Sequence, residues 1–398
     1  MNKPFRIALI NQYDQGWVAG TEYIKNIILG LSALSHENRD DIEINLITSE
    51  SIDNYILGLV EPCLKKIFFT EEIFGKQTFL KRINQKKENI FFKRPYYIYE
   101  NFLKKANFDF VYPYFSSCNN EVSKKSAACI FDFQHKYLEK YFSKKEIFIR
   151  NRHFGNIAKY ATTVILGSIC AQKDFQNYFP HVASKSRVLS FRSVPSPEWF
   201  GGNSKDVQNK YSLPDKFFIV CNQFWQHKNH LAILEALNLL KKEGIHPIVV
   251  CTGHRQDYRR IHYFDEILKT IRRYDLDEQV FIVGLVPKID QIQLMRRSIA
   301  TIQPSLFEGW NTVVEESRCF GKHIILSDIP VHLEQNPPNG QYFDRNSTNS
   351  LAGVMANIWN NLLPGPDFNQ EAIAKDNNKK DVQIFARNIS EIFRKNHY

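Results

Sequence analysis

Short apolar runs alternate with amphipathic stretches along most of the chain. Each run suits a strand that is buried on both faces of a parallel sheet. The strands predicted in this way are 5–11, 108–113, 127–131, 161–166, 217–221, 248–252, 279–284, 300–303 and 323–327. Several intervening stretches place apolar residues at helical spacing, as Leu231, Leu234, Leu237 and Leu240 do. This alternation predicts an α/β protein with doubly wound parallel sheets.

A stretch rich in Pro, Gly and Ser interrupts this alternation at 194–204, and it predicts a domain boundary. Apolar positions between Val382 and Phe393 then predict a last amphipathic helix. We therefore divide the chain into a first Rossmann-like domain, a linker, a second Rossmann-like domain and a C-terminal helix. Their predicted bounds are 1–193, 194–215, 216–375 and 376–398.

The composition indicates a folded protein of the cytoplasm. Hydrophobic residues make up 43% of the 398 residues and charged residues 24%. No apolar run approaches the roughly 20 residues of a membrane span, and the apolar stretch near the N-terminus is too short for a secretory signal. The seven cysteines are scattered without CxxC spacing, so we expect reduced thiols. The net charge of +10 predicts an anionic partner.

Much of the positive charge lies in residues 65–105, where eleven Lys and Arg stand against four Glu and aromatic residues are frequent. Such a composition suits the surface of a bilayer that contains anionic lipid. It equally suits an amphipathic helical segment with buried aromatics and solvated lysines. Single-stranded nucleic acid is a third, weaker interpretation.

Two carboxylates bracket a predicted helix start in the second half of the chain. Glu308 lies in the loop after strand 300–303, and Glu316 lies one turn inside the helix. Thr312 and Glu315 have the spacing of a capping box. The amides of 309–313 would form a helix N-terminus, which attracts anions. Acid, free amides and acid together predict a ligand with phosphate in the middle and hydroxyls at both ends, such as a nucleotide sugar.

Other candidate residues follow predicted strands, where open α/β sheets bind their ligands. Gly20 precedes a helix predicted to begin near Thr21, His135 follows strand 127–131, and Lys228 follows strand 217–221. The Asp275-Leu-Asp277 triplet has no supporting metal ligands and is interpreted as a solvated helix end. His332-Leu-Glu334 is predicted to be a loop that borders the site. No His or Cys spacing suits zinc.

The stretch 304–335 resembles the E-x7-E signature of family 4 glycosyltransferases, retaining enzymes with the GT-B fold of two Rossmann-like domains facing across a cleft. Ala19-Gly20-Thr21-Glu22 is similar to the Gly-Gly-x-Glu start of that family's first helix. The loop from Gln223 to Lys228 resembles its Gly-Arg-x-x-x-x-Lys loop, with Gln223 at the arginine position. Gly284-Leu285-Val286-Pro287 resembles the loop that receives the nucleobase.

The resemblance implies the roles of the candidate residues. Glu308 would hold hydroxyls of the transferred sugar, Glu316 would accept hydrogen bonds from the ribose, and His135 would lie near the sugar and the acceptor hydroxyl. The implied donor-binding set is Gly20, Gln223, Lys228, Leu285, Gly309, Asn311, Thr312 and Glu316. The family has glycine at the position of Asn311 and proline at that of Val313, so the identity of the sugar does not carry over.

The resemblance also implies partners. The donor would be a nucleotide sugar, and the acceptor a glycan or lipid-linked glycan of a bacterial surface polysaccharide. We expect no metal ion or other cofactor and no nucleic acid. The C-terminal helix would cross back to the first domain. The location would be cytoplasmic, with contact to the inner face of the plasma membrane as an open alternative. A nucleotide-sugar epimerase or hydrolase of similar fold, and a basic nucleic-acid-binding or scaffolding protein, remain rival functions.

Overall fold

Parallel strands organise the first half of the chain. A computed structural model describes residues 3–11, 18–38, 42–74, 94–116 and 120–395. The strands of the first half are β1 (Phe5–Ile10), β2 (Ile42–Thr48), β3 (Lys66–Phe69), β4 (Phe110–Tyr112), β5 (Ala127–Ile130), β6 (Thr163–Leu166) and β7 (Ser186–Val188). They form two sheets, of order β3-β2-β1-β4 and β5-β6-β7, that a bridge between Val111 and Ser126 connects.

Helices cover these sheets, and side-chain caps define where several of them begin. The helices are α1 (Val18–Asn38), α2 (Asn54–Val60), α3 (Thr70–Phe74), α4 (Arg94–Ala106), α5 (Glu121–Lys124), α6 (Gln134–Tyr137), α7 (Lys144–Tyr160) and α8 (Ile169–Tyr178). Ser143 and Glu146 form a capping box at the start of α7. Ser168 accepts a hydrogen bond from the Ala171 amide and caps α8. Helix α1 begins three residues before the predicted Thr21.

The predicted linker 194–215 is not an extended connection. It forms two short helices, α9 (Glu198–Gly201) and α10 (Ser204–Lys210). Trp199 is 1% exposed and belongs to a hydrophobic cluster of the second domain. The prediction used the local Pro, Gly and Ser content, whereas one buried indole is enough to hold the segment against its neighbours.

The second half of the chain forms one parallel sheet. Its strands are β8 (Phe218–Cys221), β9 (Val249–Thr252), β10 (Val280–Gly284), β11 (Thr301–Gln303), β12 (Ile324–Ser327) and β13 (Gly340–Phe343), in the order β10-β9-β8-β11-β12-β13. The first strand, β8, therefore lies in the middle, and the chain leaves it in both directions. Parallel sheets bind ligands at the carboxyl ends of the strands where the order reverses. The loops after β8 and β11 occupy that place.

The helices of the second half are α11 (His230–Lys242), α12 (Tyr263–Arg273), α13 (Lys288–Arg297), α14 (Thr312–Cys319), α15 (Pro330–Gln335) and α16 (Thr348–Asn361). Helix α12 begins at Tyr263, so Asp257 lies in the loop before it. The Asp257 carboxylate accepts hydrogen bonds from the amides of Gln226 (3.0 Å) and Arg259 (2.9 Å). It thereby holds the loop that carries Lys228.

The last helix, α17 (Phe368–Lys395), begins earlier than the predicted 376 and packs along α1. Phe393 is fully buried there and stacks on Phe110 of β4, with ring centroids 4.5 Å apart. Phe385 and Ile389 contact Gly30 of α1. The C-terminal helix thus completes the hydrophobic core of the first domain.

The basic aromatic segment 65–105 is partly described. It contributes β3, α3 and α4, whereas residues 75–93 lie outside the described residues. Phe68 and Phe102 pack edge to face within this part, with centroids 5.2 Å apart. None of the described helices is both long and apolar enough to span a bilayer.

Candidate active site

The loop after β11 ends at a helix whose cap differs from the prediction. Asn311, and not Thr312, is the N-cap of α14. Its Oδ1 accepts hydrogen bonds from the amides of Val313 (3.0 Å) and Val314 (3.3 Å). Glu315 cannot close the predicted capping box, because its buried carboxylate pairs with Arg192 at 2.9 Å. The Thr312 amide has no acceptor among the described residues and remains free for an anion.

Glu308 and Lys228 meet at the carboxyl ends of β8 and β11. Glu308 Oε1 accepts hydrogen bonds from Lys228 Nζ (2.6 Å), Ser305 Oγ (2.6 Å) and Asn311 Nδ2 (3.4 Å). The other carboxylate oxygen, Oε2, accepts none from the described residues and is not buried. The side chains of Lys228 and Glu308 are 19% and 9% exposed. A cation and an unused carboxylate oxygen are therefore both accessible at one point.

Asn311 is held in place by a buried histidine. His332 Nδ1 lies 3.0 Å from the Ser327 carbonyl oxygen and must donate to it, so Nε2 accepts from Asn311 Nδ2 at 3.3 Å. Burial lowers the pKa of His332 to about 4, which keeps the ring neutral near pH 7. The predicted loop around His332 is in fact helix α15.

Helix α15 also contacts the first domain. Glu334 accepts hydrogen bonds from the amides of Ile169 (2.7 Å) and Cys170 (3.0 Å), at the N-terminus of α8. A carboxylate is stabilised at a helix N-terminus, so this contact favours association of the two domains. His332-Leu-Glu334 therefore borders the site as expected, but as an interdomain contact on a helix.

Glu316 is buried inside an interdomain cluster of charges. It is 1% exposed and pairs with Lys288 at the start of α13. Glu22 of α1 is also close, and it pairs with Lys25 at 2.5 Å. Burial lowers the pKa of Lys288, but the carboxylates of Glu316 and Glu22 more than offset this, and the pKa of Lys288 is raised. The start of α1 thus faces the helix that carries Glu316.

Gly20 is buried as the third residue of α1, two residues before Glu22. The loop of residues 12–17, which precedes α1, lies outside the described residues. The structure thus places Gly20 at the interdomain side through its helix. It does not describe the loop before it.

Gly309 lies against the first domain, with no room for a side chain. A Cβ atom built on Gly309 would lie 2.3 Å from the Phe131 carbonyl oxygen and 3.0 Å from Asp132 Cβ. Trp310, the next residue, donates from Nε1 to the Phe191 carbonyl at 3.0 Å. The loop between β11 and α14 therefore touches the strand ends of the first domain directly.

His135 does not line the cleft, contrary to expectation. Its ring is fully buried, with Nε2 3.0 Å from Asn151 Oδ1 and with Phe154 against its face. Burial lowers its pKa. The neighbouring residues do face the second domain, because Gln134 accepts from Arg259 at 3.0 Å and Tyr137 packs on Phe307. The position after β5 was predicted correctly, whereas the direction of the imidazole was not.

Gln223 and Leu285 follow β8 and β10 and lie at the same edge of the sheet. Gln223 is partly exposed, and its side chain has no hydrogen-bond partner among the described residues. Its amide lies beside Gly253, which has φ of +127° and could not carry a side chain. Leu285 is 74% exposed. Among the described residues, no hydrogen bond or ion pair joins either residue to the pair of Lys228 and Glu308.

A family model decides the enzyme class. Residues 203–376 match the model described as glycosyl transferases group 1. The matched part contains Lys228, Glu308, Asn311 and Glu316. The protein is a glycosyltransferase. No curated protein matches the sequence.

Solved structures show that the glycosyltransferase has the predicted GT-B fold. HepE from Anabaena, in complex with UDP and glucose, has a TM-score of 0.61 and 15% identity, with 98% of this chain and 100% of that chain covered. Sucrose-phosphate synthase from Thermosynechococcus elongatus has a TM-score of 0.64 and 15% identity, with 98% of both chains covered. WaaG, a glycosyltransferase involved in lipopolysaccharide biosynthesis, has a TM-score of 0.59 and 12% identity, with 96% of this chain and 95% of that chain covered.

Sequence reasoning missed several charged residues of the glycosyltransferase. Lys288 and Arg192 pair with acids of α14, and Glu22 approaches Lys288 from the first domain. A lysine directly after the loop 284–287 was the available signal for Lys288. Arg192 offered no local signal, because its partner Glu315 comes from the other domain. Glu22 was named only as part of the helix start 19–22, and its proximity to Lys288 was not predicted.

The Asp275-Leu276-Asp277 triplet does not belong to the site. Asp275 is exposed and pairs with Lys241 at 2.7 Å, whereas Leu276 is buried. The triplet is thus a solvated helix end, as predicted. Within the described residues, no group of three His, Cys, Asp or Glu side chains could hold a metal ion.

Proposed function

We propose that the protein is a retaining glycosyltransferase of family 4 that transfers a sugar from a nucleotide-sugar donor to a glycan acceptor. The observation that carries the proposal is the ion pair between Lys228 and Glu308 Oε1, which leaves Glu308 Oε2 accessible. The second domain would bind most of the donor, and the first domain would bind the acceptor.

In this proposal, each charged group has one task. Lys228 and the free amide of Thr312 stabilise the negative charge that develops on the leaving diphosphate. Glu308 accepts hydrogen bonds from hydroxyls of the transferred sugar through Oε2. Glu316 accepts from the ribose through its second oxygen, to which Gln291 alone donates among the described residues, at 3.5 Å. No metal ion is required, since a lysine and helix amides supply the positive charge.

Glu308 acts on the sugar and not as one of a pair of glycosidase carboxylates. Its carboxylate pairs with Lys228 at 2.6 Å, and the second acid, Glu316, is buried one turn inside α14. Retention of the anomeric configuration would then result from front-face attack, in which the leaving phosphate helps to deprotonate the acceptor. The buried, neutral His332 fixes Asn311 beside Glu308 and takes no part in proton transfer.

A thermal-shift screen tests donor binding. We expect UDP and a UDP-sugar to raise the melting temperature by a few degrees, because a ligand at a hundredfold excess over its Kd stabilises by about 2.7 kcal/mol. The neighbour HepE was crystallised with UDP-glucose, which makes UDP the first nucleotide to test. The shift should be the same with EDTA present. It should shrink in Lys228→Met.

GDP- and dTDP-sugars complete the screen. If none of the three donor classes shifts the melting temperature at millimolar concentration, the assignment of a nucleotide-sugar site is wrong. Turnover of a donor to a new free sugar without any acceptor would favour the epimerase or hydrolase alternative.

We further propose that the acceptor is lipid-linked and belongs to a bacterial surface polysaccharide. The support is the basic aromatic composition of 65–105, with its excess of seven positive charges. The enzyme would then work at the inner face of the plasma membrane.

Flotation with vesicles tests the membrane part alone. The full-length enzyme should float with vesicles that contain phosphatidylglycerol at low salt, and not with pure phosphatidylcholine. Charge reversal at Lys86 and Lys87 should reduce flotation by at least about half, since each basic residue near the surface contributes about 1 kcal/mol. An enzyme that stays unbound at low salt removes the membrane contact but leaves sugar transfer untouched.

A further inference from the structure

Lys288 lies between acids of the two domains. It is the first residue of α13, directly after the loop that follows β10, and so it lies at the ligand-binding edge of the second sheet. Glu316 of the second domain pairs with its ammonium, and Glu22 of the first domain is near enough to raise its pKa. Its side chain is 19% exposed. A cation held between both domains is therefore still accessible from the cleft.

The ammonium of Lys288 has hydrogen-bond donors that the described residues do not use. A lysine carries three N–H donors, and among the described residues only Glu316 accepts a hydrogen bond from this one. By contrast, the nearby Lys25 is 3% exposed, pairs with Glu22 and lies over the Trp199 ring. Of these two lysines, Lys288 is the one that can reach a ligand without leaving its carboxylate.

The loop after β8 carries Lys228 but has no second cation, because Gln223 stands where the resembled family has arginine. Lys288 could supply that missing charge. Gln223 can donate hydrogen bonds but carries no fixed charge. Cys221, two residues earlier at the end of β8, lies close enough to Lys288 and Glu316 for both to influence its pKa. Lys288 and Gln223 thus belong to the same end of the sheet.

The four charged residues of the interdomain cluster have no net charge when no ligand is bound. Glu22, Lys25, Lys288 and Glu316 sum to zero. If a ribose hydroxyl donates to Oε2 of Glu316, Lys288 can keep its ion pair with Oε1. The diphosphate attached to that ribose would then lie next to the Lys288 ammonium. A diphosphate there would meet a positive charge already fixed in place, which avoids the cost of burying a new one.

We propose that Lys288 is the second cation of the diphosphate site, opposite Lys228, and substitutes for the charge that Gln223 lacks. The proposal rests on the proposed function, because it takes the ligand to be a nucleoside diphosphate. A simpler role for Lys288 would be that of counter-ion to Glu316, without contact to phosphate. The two roles predict different effects of removing the lysine charge. A phosphate contact predicts weaker binding of UDP but not of uridine, whereas a counter-ion role predicts equal effects on both.

Affinities for UDP and for uridine separate these roles, measured by calorimetry on the full-length enzyme. In Lys288→Met, we expect the affinity for UDP and a UDP-sugar to fall at least about tenfold, and that for uridine to change less than about twofold. Lys288→Arg should keep most of the UDP affinity. Lys210→Met is the matched control, since Lys210 pairs with Asp290 of the same helix at 2.6 Å but is 57% exposed.

A second comparison guards against a folding defect, because Lys288→Met leaves Glu316 buried without its partner. The pair of Glu316→Gln and the double variant Lys288→Met/Glu316→Gln differ only in the lysine. The ratio of UDP to uridine affinity should fall about tenfold between them. Equal losses for UDP and uridine, or no loss of UDP affinity, would overturn the proposal. A wild-type enzyme that binds neither ligand would refute the proposed function itself.

Discussion

Glu308→Gln should reduce sugar transfer by at least about a hundredfold, the scale of losing one preorganised electrostatic partner. Glutamine keeps the size of the side chain but not the charge that grips the sugar hydroxyls. The affinity for UDP should stay nearly unchanged or rise slightly. The reason is that Lys228 loses the carboxylate that now holds it at 2.6 Å and becomes free for the diphosphate. Steady-state transfer rates and calorimetric affinities measure the two effects separately.

Glu235→Gln is the matched control, because Glu235 is exposed on α11 and accepts only from Thr348 among the described residues. It should transfer sugar at the normal rate. Transfer by Glu308→Gln at the normal rate would show that Glu308 does not act on the sugar. A parallel loss of UDP affinity would instead assign Glu308 to nucleotide binding.

Gly309→Ala should lower kcat by roughly ten- to hundredfold. The added methyl group would lie 2.3 Å from the Phe131 carbonyl oxygen, so the two domains could no longer meet as they do here. Overpacking of this kind costs about 1–3 kcal/mol, and each 1.36 kcal/mol against the closed arrangement is a factor of ten in rate. UDP affinity should fall much less, since we propose that most of the donor site lies within the second domain.

Gly155→Ala provides the control for Gly309→Ala. A Cβ at Gly155 on α7 meets no atom within 4 Å, so this variant should keep both activity and melting temperature. Small-angle scattering should show a larger radius of gyration for Gly309→Ala alone. Unchanged kcat and unchanged radius would mean that catalysis does not depend on the contact between Gly309 and Phe131.

The fold could be predicted from the chain because its strands are short apolar runs between amphipathic helices. The unit from β11 to β12 illustrates this, since each of its bounds lies within about a residue of the prediction. Periodicity and turn residues are local signals, and they decide where an element begins. The segment around Trp199 escaped prediction because its helices depend on burial against a distant helix.

The acids of the site were predictable, whereas their partners were not. Glu308 and Glu316 are recognisable from their spacing around a helix start. Which cation each acid meets depends on the packing of loops far apart in the chain, as with Lys228, eighty residues before Glu308. His135 shows the same limit. The end of its strand was predictable, but Asn151 of α7 turns the ring away from the cleft.

The stacking of Phe393 on Phe110 joins the late helix α17 to the first domain. During synthesis, the first domain emerges from the ribosome long before the residues that fill its core. Its apolar surface between α1 and β4 must stay uncovered until α17 has been made, which exposes it to chaperones and to aggregation. The enzyme's earliest-made half is therefore the last to become stable.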